Sequence, residues 1–288
     1  MDELVVIPAY NRVEFLTLCV ENILATSDHP RILIVVDNHY DAPPSLEVVQ
    51  YVDDLSGRSD VDYEILDPHT YVGLSHAIMS GMQLARDSGA EFVYYVEDDV
   101  MVSRDFFRWH RAARDLGSWF VSVACKNHCT ESEKTLTPDL SSVYSTAYDY
   151  TALGACFHRE SLGRILKFAN SDYWGDTTAF VKRRFPKSKV LPQYSEQAGL
   201  IRRIMEEDDS LTSVWPHVPR GYHLGWYGKN CRGLPIPGDT PESRLLNLRE
   251  IMFDKDTLNA LATTHKFIDP VPLNDTKWDT LHLTHHYT

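Results

Sequence analysis

The sequence predicts an α/β fold, a mostly parallel sheet flanked by helices, with a mixed second half built onto it. Short apolar runs alternate with helix-period segments through the first hundred residues, as parallel strands joined by crossover helices do. Three consecutive acids, Glu97-Asp98-Asp99, end one of the buried runs, at the carboxyl edge where open α/β sheets gather ligands. Beyond Val100 the alternation lapses and the elements become mixed.

Residues 4–7 read as a first strand closed by Pro8. Asn11 with Glu14 three residues on forms a capping-box-like helix start, with Leu16, Cys19, Val20, Ile23 and Leu24 as the buried stripe. Residues 32–36 make a continuous apolar strand closed by Asp37-Asn38, and residues 64–66 a short third strand. Leu74, Ala77, Ile78, Gly81, Met82 and Ala85 recur at helical spacing, and the start of that helix, after Gly73, is expected to face the ligand. Residues 92–96 form the strand that runs into the acids.

In the second half Ser103 is expected to cap a helix running to Leu116, residues 119–124 read as a strand, and 125–150 is irregular. A strand at 154–157, helices at 160–168 and 197–206 and a strand around Val214 follow. Glycine and proline thicken from Pro216 to Pro241, and a short helix at 242–253 precedes a loosely ordered tail.

With 288 residues, 43% of them hydrophobic, the chain can bury a sizeable core as one large domain or two fused lobes. No apolar run approaches the roughly 20 residues of a membrane span, and no basic segment precedes the first one. The expectation is a cytoplasmic protein with no membrane partner. Five cysteines, at 19, 125, 129, 156 and 231, are odd in number and irregular in spacing, which reads as reduced thiols. Cys125, His128 and Cys129 lack a second ligand pair and are assigned no zinc. The net charge of −13 disfavours polyanions as a whole. Yet Lys182, Arg183, Arg184, Lys187 and Lys189 crowd one short segment, which either binds phosphate or forms a solvated basic face.

Three adjacent carboxylates at a buried strand end are costly unless paired or bound to a cation. A hard divalent ion, Mn²⁺ or Mg²⁺, takes oxygen ligands and is commonly completed by substrate phosphates. A solvated acidic turn is the alternative, and the four acids at 206–209 are read that way.

Val5-Val6-Ile7-Pro8-Ala9-Tyr10-Asn11-Arg12 resembles the opening strand and nucleotide-binding turn of inverting family-2-like glycosyltransferases. Val35-Val36-Asp37-Asn38 resembles the next strand end in those enzymes, whose aspartate contacts uracil. Val96-Glu97-Asp98-Asp99-Val100, followed by Arg104-Asp105-Phe106-Phe107, resembles the metal-binding segment of N-acetylglucosaminyltransferase I-like enzymes. There the last acid binds the metal and the earlier ones face sugar and ribose. The resemblance covers residues 4–110 and implies a GT-A, Rossmann-like fold with a nucleotide-sugar donor. Dinucleotide enzymes need a glycine-rich turn, and the chain has no Gly-x-Gly. Sugar nucleotidyltransferases carry a glycine-rich basic loop where this chain has Pro8-Ala9-Tyr10-Asn11.

Displacement at an anomeric carbon needs a carboxylate to take the acceptor proton. Glu196, expected in a first helical turn behind a Ser195 cap, resembles the acidic motif that carries the base in inverting GT-A enzymes. Asp176, after Tyr173-Trp174-Gly175, is the second candidate. His223, between Gly221 and Gly225, resembles the late histidine that completes the metal shell. Its other reading is a structural histidine. Gly154-Ala155 resembles the floor beneath the sugar, and Trp174 is a candidate for stacking on a sugar or base. His282, His285 and His286 are read as solvated tail residues.

The resulting expectation is a glycosyltransferase with a donor half at 1–102, an acceptor half at 103–235, and a helix and tail at 236–288. Pro8, Ala9, Tyr10, Asn11, Arg12, Asp37, Gly73, Glu97, Asp98 and Gly154 would line a UDP-sugar. Asp99 and His223 would hold Mn²⁺ or Mg²⁺. Glu196 or Asp176 would act as base, and Trp174, Lys182, Arg183 and Arg184 would meet the acceptor. The leading specific acceptor is a 5-hydroxymethylated pyrimidine in DNA, as for bacteriophage enzymes acting in bacterial or virus-infected host cytoplasm. A non-catalytic nucleotide-sugar sensor is the further alternative.

Overall fold

The computed structural model describes residues 2–114, 120–124, 142–147, 150–216, 220–223 and 282–287, with 142–147 and 282–287 described through their backbone. The first half runs β1 (Glu3–Ala9), α1 (Val13–Leu24), β2 (Arg31–Val36), α2 (Leu46–Leu55), β3 (Val61–Ile65), α3 (Leu74–Asp87) and β4 (Phe92–Tyr95). These strands pair parallel in the order β3-β2-β1-β4, as crossover connections require.

The second half opens with β5 (Val100–Val102), α4 (Phe106–Ala113), β6 (Val121–Val123), β7 (Ser142–Ala147) and β8 (Ala155–His158). It continues with α5 (Arg159–Leu166), α6 (Ser171–Gly175), α7 (Thr177–Arg184), α8 (Gln197–Glu207), β9 (Thr212–Pro216), β10 (Gly221–His223) and β11 (His282–Tyr287). From β4 the sheet extends through β8, β6, β9, β7 and β11. Here directions mix: β8 runs antiparallel to both neighbours, while β6 and β9 are parallel. β5 and β10 form a separate antiparallel pair.

Successive side chains on a strand point to opposite faces, and β1 feeds two cores. Leu4 and Val6 pack with apolar residues of α3, α5 and α8, whereas Val5, Ile7 and Ala9 pack with those of α1, α2 and α4. Both faces are covered, so the central strands are apolar throughout. Gly81 lets α3 lie directly on the sheet, since a Cβ there would meet Val6 Cγ1 at 2.5 Å and Val35 Cγ2 at 2.9 Å. No helix among the described residues is long and apolar enough to cross a membrane.

Several local expectations are corrected. β1 continues through Pro8 to Ala9, because the Asp37 N–H reaches the Ala9 carbonyl at 2.8 Å and extends the ladder. Arg12, not Asn11, caps α1, without a side-chain bond. Ser103 donates to Asp105 instead of capping, and α4 spans only Phe106–Ala113. Glu196 is itself the N-cap residue of α8, outside the first turn, while the Ser195 hydroxyl bonds Thr177 and Thr178. The tail expected to be loose supplies β11, parallel to β7. Residues 142–147, read as irregular, form β7. α2, α6 and α7 were not anticipated, although Ser45 before Val48 and Val52 marks α2, its hydroxyl accepting from the Val48 N–H at 3.3 Å. The expected helix at 242–253 and the Cys125, His128 and Cys129 group lie outside the described residues.

Candidate functional site

Pro8 and Ala9 end β1 beside the end of β2, and there Asp37 is 5% exposed. Its carboxylate accepts from the N–H of Asn38 at 3.1 Å and from the N–H of Gly73 at 3.1 and 3.2 Å. Gly73 stands at φ 105°, a conformation that favours glycine, as it opens α3. His39 Nε2 lies 2.9 Å from Asp37 Oδ2, and the Tyr10 ring sits 5.0 Å from that of His39. Tyr10 donates to the Ala42 carbonyl, whereas Asn11 is exposed.

At the end of β4 the chain turns through Glu97, Asp98 and Asp99 into β5. Arg12 Nη2 donates to Asp98 and Nη1 to Asp99 Oδ2, the latter at 2.8 Å. Pairing of β10 with β5 sets His223 opposite Val100, so that His223 Nε2 comes within 3.3 Å of Asp99 Oδ2. The Tyr95 hydroxyl donates to Glu97 Oε1 at 3.0 Å. Glu97, Asp99 and His223 each offer a ligand atom, all within 4.8 Å of one another. Asp99 Oδ1 is buried without a hydrogen-bond partner among the described residues, an arrangement a hard cation would satisfy. Two carboxylate oxygens and an imidazole nitrogen fit Mn²⁺ or Mg²⁺ completed by phosphate.

Desolvation at this strand end, joined by the charge of Asp99, pushes the Glu97 carboxyl up to about 7. Burial also raises Asp98, outweighing the opposing Arg12 guanidinium. For Asp99 burial acts upward too, but the bonds and charges of His223 and Arg12 hold it below the usual carboxylate range. His223 is raised, burial being outweighed by its contact with Asp99.

A cavity of about 670 Å³ opens beside Glu97 and is lined also by Gly73, Trp174 and Glu196. A second, of about 320 Å³, shares Glu97 and Glu196 and reaches Tyr150 and Leu153. Gly154, at φ 64°, follows Leu153 of this second cavity without lining it, its carbonyl accepting from the Ala124 N–H at 2.8 Å.

Glu196 is exposed and held by the segment around it. The Arg203 guanidinium donates to the carbonyls of Tyr194, Gly199, Val190 and Leu191 at 2.5 to 3.0 Å, and the Tyr173 hydroxyl donates to the Ser195 carbonyl at 2.8 Å. Asp176 instead accepts from the Ala179 N–H at 2.9 Å as the cap of α7. Lys182 is exposed. Arg183 pairs with Asp172 and Arg184 with Glu207, and none of these three basic residues lines the two cavities.

Sequence reasoning did not anticipate His39 beside Asp37, Glu97 as a third ligand atom, or Arg203. The two acids on Arg12 and the β5–β10 pairing arise from tertiary contacts that no local pattern encodes.

Residues 4–140 match the family model described as glycosyl transferase family 2. In structure the chain is similar to S. aureus TarS residues 1–349, solved in complex with UDP-GlcNAc. Identity is 15% and the TM-score 0.51, over 91% of this chain and 73% of that one. It also matches the mannosyltransferase PcManGT of Pyrobaculum calidifontis, solved with GDP-Man and Mn²⁺, at 16% identity and a TM-score of 0.42. That match covers 63% of this chain and 52% of the other. No curated protein matches the chain in sequence.

Proposed function

We propose that this chain, a glycosyltransferase of the GT-A fold whose residues 4–140 match family 2, moves a sugar from a UDP-linked donor to an acceptor hydroxyl with inversion. The observation that carries the proposal is the convergence of Glu97, Asp99 and His223 beside a cavity that also takes Glu196. The UDP-GlcNAc bound by TarS, which shares the fold, supports a uridine diphosphate donor.

In this reading residues 1–102 are the donor half. Asp37 and Tyr10 meet the base, with Pro8, Ala9, Asn11 and Gly73 forming its walls. Arg12 and Asp98 face the diphosphate and ribose, and Gly154 lies beneath the sugar. A divalent cation held by Asp99, His223 and Glu97 would neutralise charge on the departing diphosphate. Glu196 accepts the proton of the attacking hydroxyl. Its place at the start of α8, on the wall of the cavity that Glu97 also lines, supports that role. The carboxylate of Asp176 is engaged in capping α7, which favours Glu196 between the two. Displacement by a hydroxyl activated in this way inverts the anomeric carbon.

Calorimetric titration of UDP with Mn²⁺, and again with chelator, tests the donor half. UDP is expected to bind with Mn²⁺, about tenfold more weakly in His223→Ala. Equal binding in chelator would remove the metal from the proposal.

A further inference from the structure

We propose that Tyr71, His76 and Trp174 form the acceptor platform of the Glu196 cavity, and that the acceptor is an uncharged saccharide. This rests on the glycosyl-transfer reading above and adds the class of its second substrate. The three rings come from separate places: Tyr71 from the β3–α3 connection, His76 from the first turn of α3, and Trp174 from α6. Ring centroids lie 6.1 Å apart for Tyr71 and Trp174, 5.2 Å for His76 and Trp174, and 6.0 Å for Tyr71 and His76. Trp174 is braced from behind by the buried Tyr173 ring at 4.7 Å.

The platform adjoins the buried core on its inner side and is open on its outer side. Tyr71 is 40% exposed, and it continues into Val72 at 43% and Leu74 at 52%. Such a run of exposed apolar side chains, rimming a cavity, marks a contact surface. A pyranose matches it, with a C–H face for the rings and hydroxyls for the polar groups. Thr177 and Gln197 line the same cavity as the rings, and Glu196 stands where an acceptor hydroxyl would be deprotonated.

Charge selects against anions. Among the described residues this cavity is lined by two carboxylates, Glu97 and Glu196, and by no lysine or arginine. With Glu97 turned to the proposed donor-side cation, a phosphate backbone entering here would meet the Glu196 carboxylate and no lysine or arginine among the lining residues. Arg202 lines the adjoining cavity, and its Nε donates to the Tyr150 carbonyl at 2.9 Å. Arg183 and Arg184 are engaged by Asp172 and Glu207.

Saturation-transfer NMR on the full chain, with UDP and Mn²⁺ present, tests this with maltotriose, cellotriose, mannotriose and chitotriose as probes. Hydroxymethylated duplex DNA is titrated in parallel, and UDP titration of each variant checks that it is folded. At least one trisaccharide is expected to bind, about tenfold more weakly in Trp174→Ala and with most affinity regained in Trp174→Phe. If UDP binds but no trisaccharide does, the platform is overturned while the donor reading stands. Salt-sensitive DNA binding that Trp174→Ala abolishes, without a saccharide signal, overturns it in favour of a polyanion. If UDP itself fails to bind, the glycosyl-transfer reading falls and the platform with it.

Discussion

His223 Nε2 lies 3.3 Å from Asp99 Oδ2 because β10 is laid against β5 by a buried charge contact. One residue before β10, the fully buried Arg220 places Nε 3.1 Å from Asp105 Oδ2, and its carbonyl accepts from the Ser103 N–H at 2.8 Å. Asp105→Ala removes the carboxylate facing that guanidinium. The expected cost is about 3 kcal/mol in urea unfolding, together with weaker Mn²⁺ binding as His223 loses its place. Unchanged stability would mean that Asp105 does not anchor β10.

Arg12 and the proposed cation would share one carboxylate, that of Asp99. Arg12→Met is therefore predicted to melt at lower temperature than the native chain in chelator, and to gain more from added Mn²⁺. Equal Mn²⁺-induced shifts in the two proteins, read by thermal denaturation, would contradict this.

The turn carrying Glu196 depends on a glycine. A Cβ at Gly199 would sit 1.9 Å from the Tyr194 carbonyl oxygen, so Gly199→Ala must push that turn outward. A loss of roughly 3 kcal/mol is expected, with transfer falling further than the folded fraction does. Native-like activity and stability would show that the turn yields freely.

Acid should destabilise the fold through His110. Burial, reinforced by the charge of Arg114, holds its pKa well below the usual histidine value, and its Nδ1 contacts Ser122 Oγ at 2.7 Å. The folded state thus keeps His110 neutral where the unfolded chain takes up a proton, below about pH 6.5. Stability from this group is full above that value and falls as pH drops, by up to about 1.4 kcal/mol per unit. Urea unfolding between about pH 8 and about pH 5 should give a shallower acid limb for His110→Asn. Parallel limbs would refute the assignment.

Much of the parallel part of the sheet is legible in the sequence, because β1, β2, α3 and β4 bury both faces and so write long apolar runs and a helical stripe. α2 leaves little trace in the sequence beyond Ser45 at its start, since only Val48 and Val52 of its ten residues are buried. Asp99 and His223 are each legible as candidate ligands. Their contact depends on β5, three residues long and too short to leave a period in the sequence. The basic run at 182–189 reads in sequence either as a phosphate site or as a solvated basic face, because the pairing of Arg183 with Asp172 and of Arg184 with Glu207 comes from the packing of α6, α7 and α8.

The most direct test of the central claim is UDP release from a panel of UDP-sugars, with Mn²⁺ or chelator, comparing the native chain with Asp99→Ala and Glu196→Gln. The account predicts release that requires Mn²⁺ and falls by about a hundredfold or more in Asp99→Ala, with acceptor-stimulated turnover lost in Glu196→Gln. Undiminished metal-dependent release in Asp99→Ala would contradict it, as would no release from any UDP-sugar under any condition.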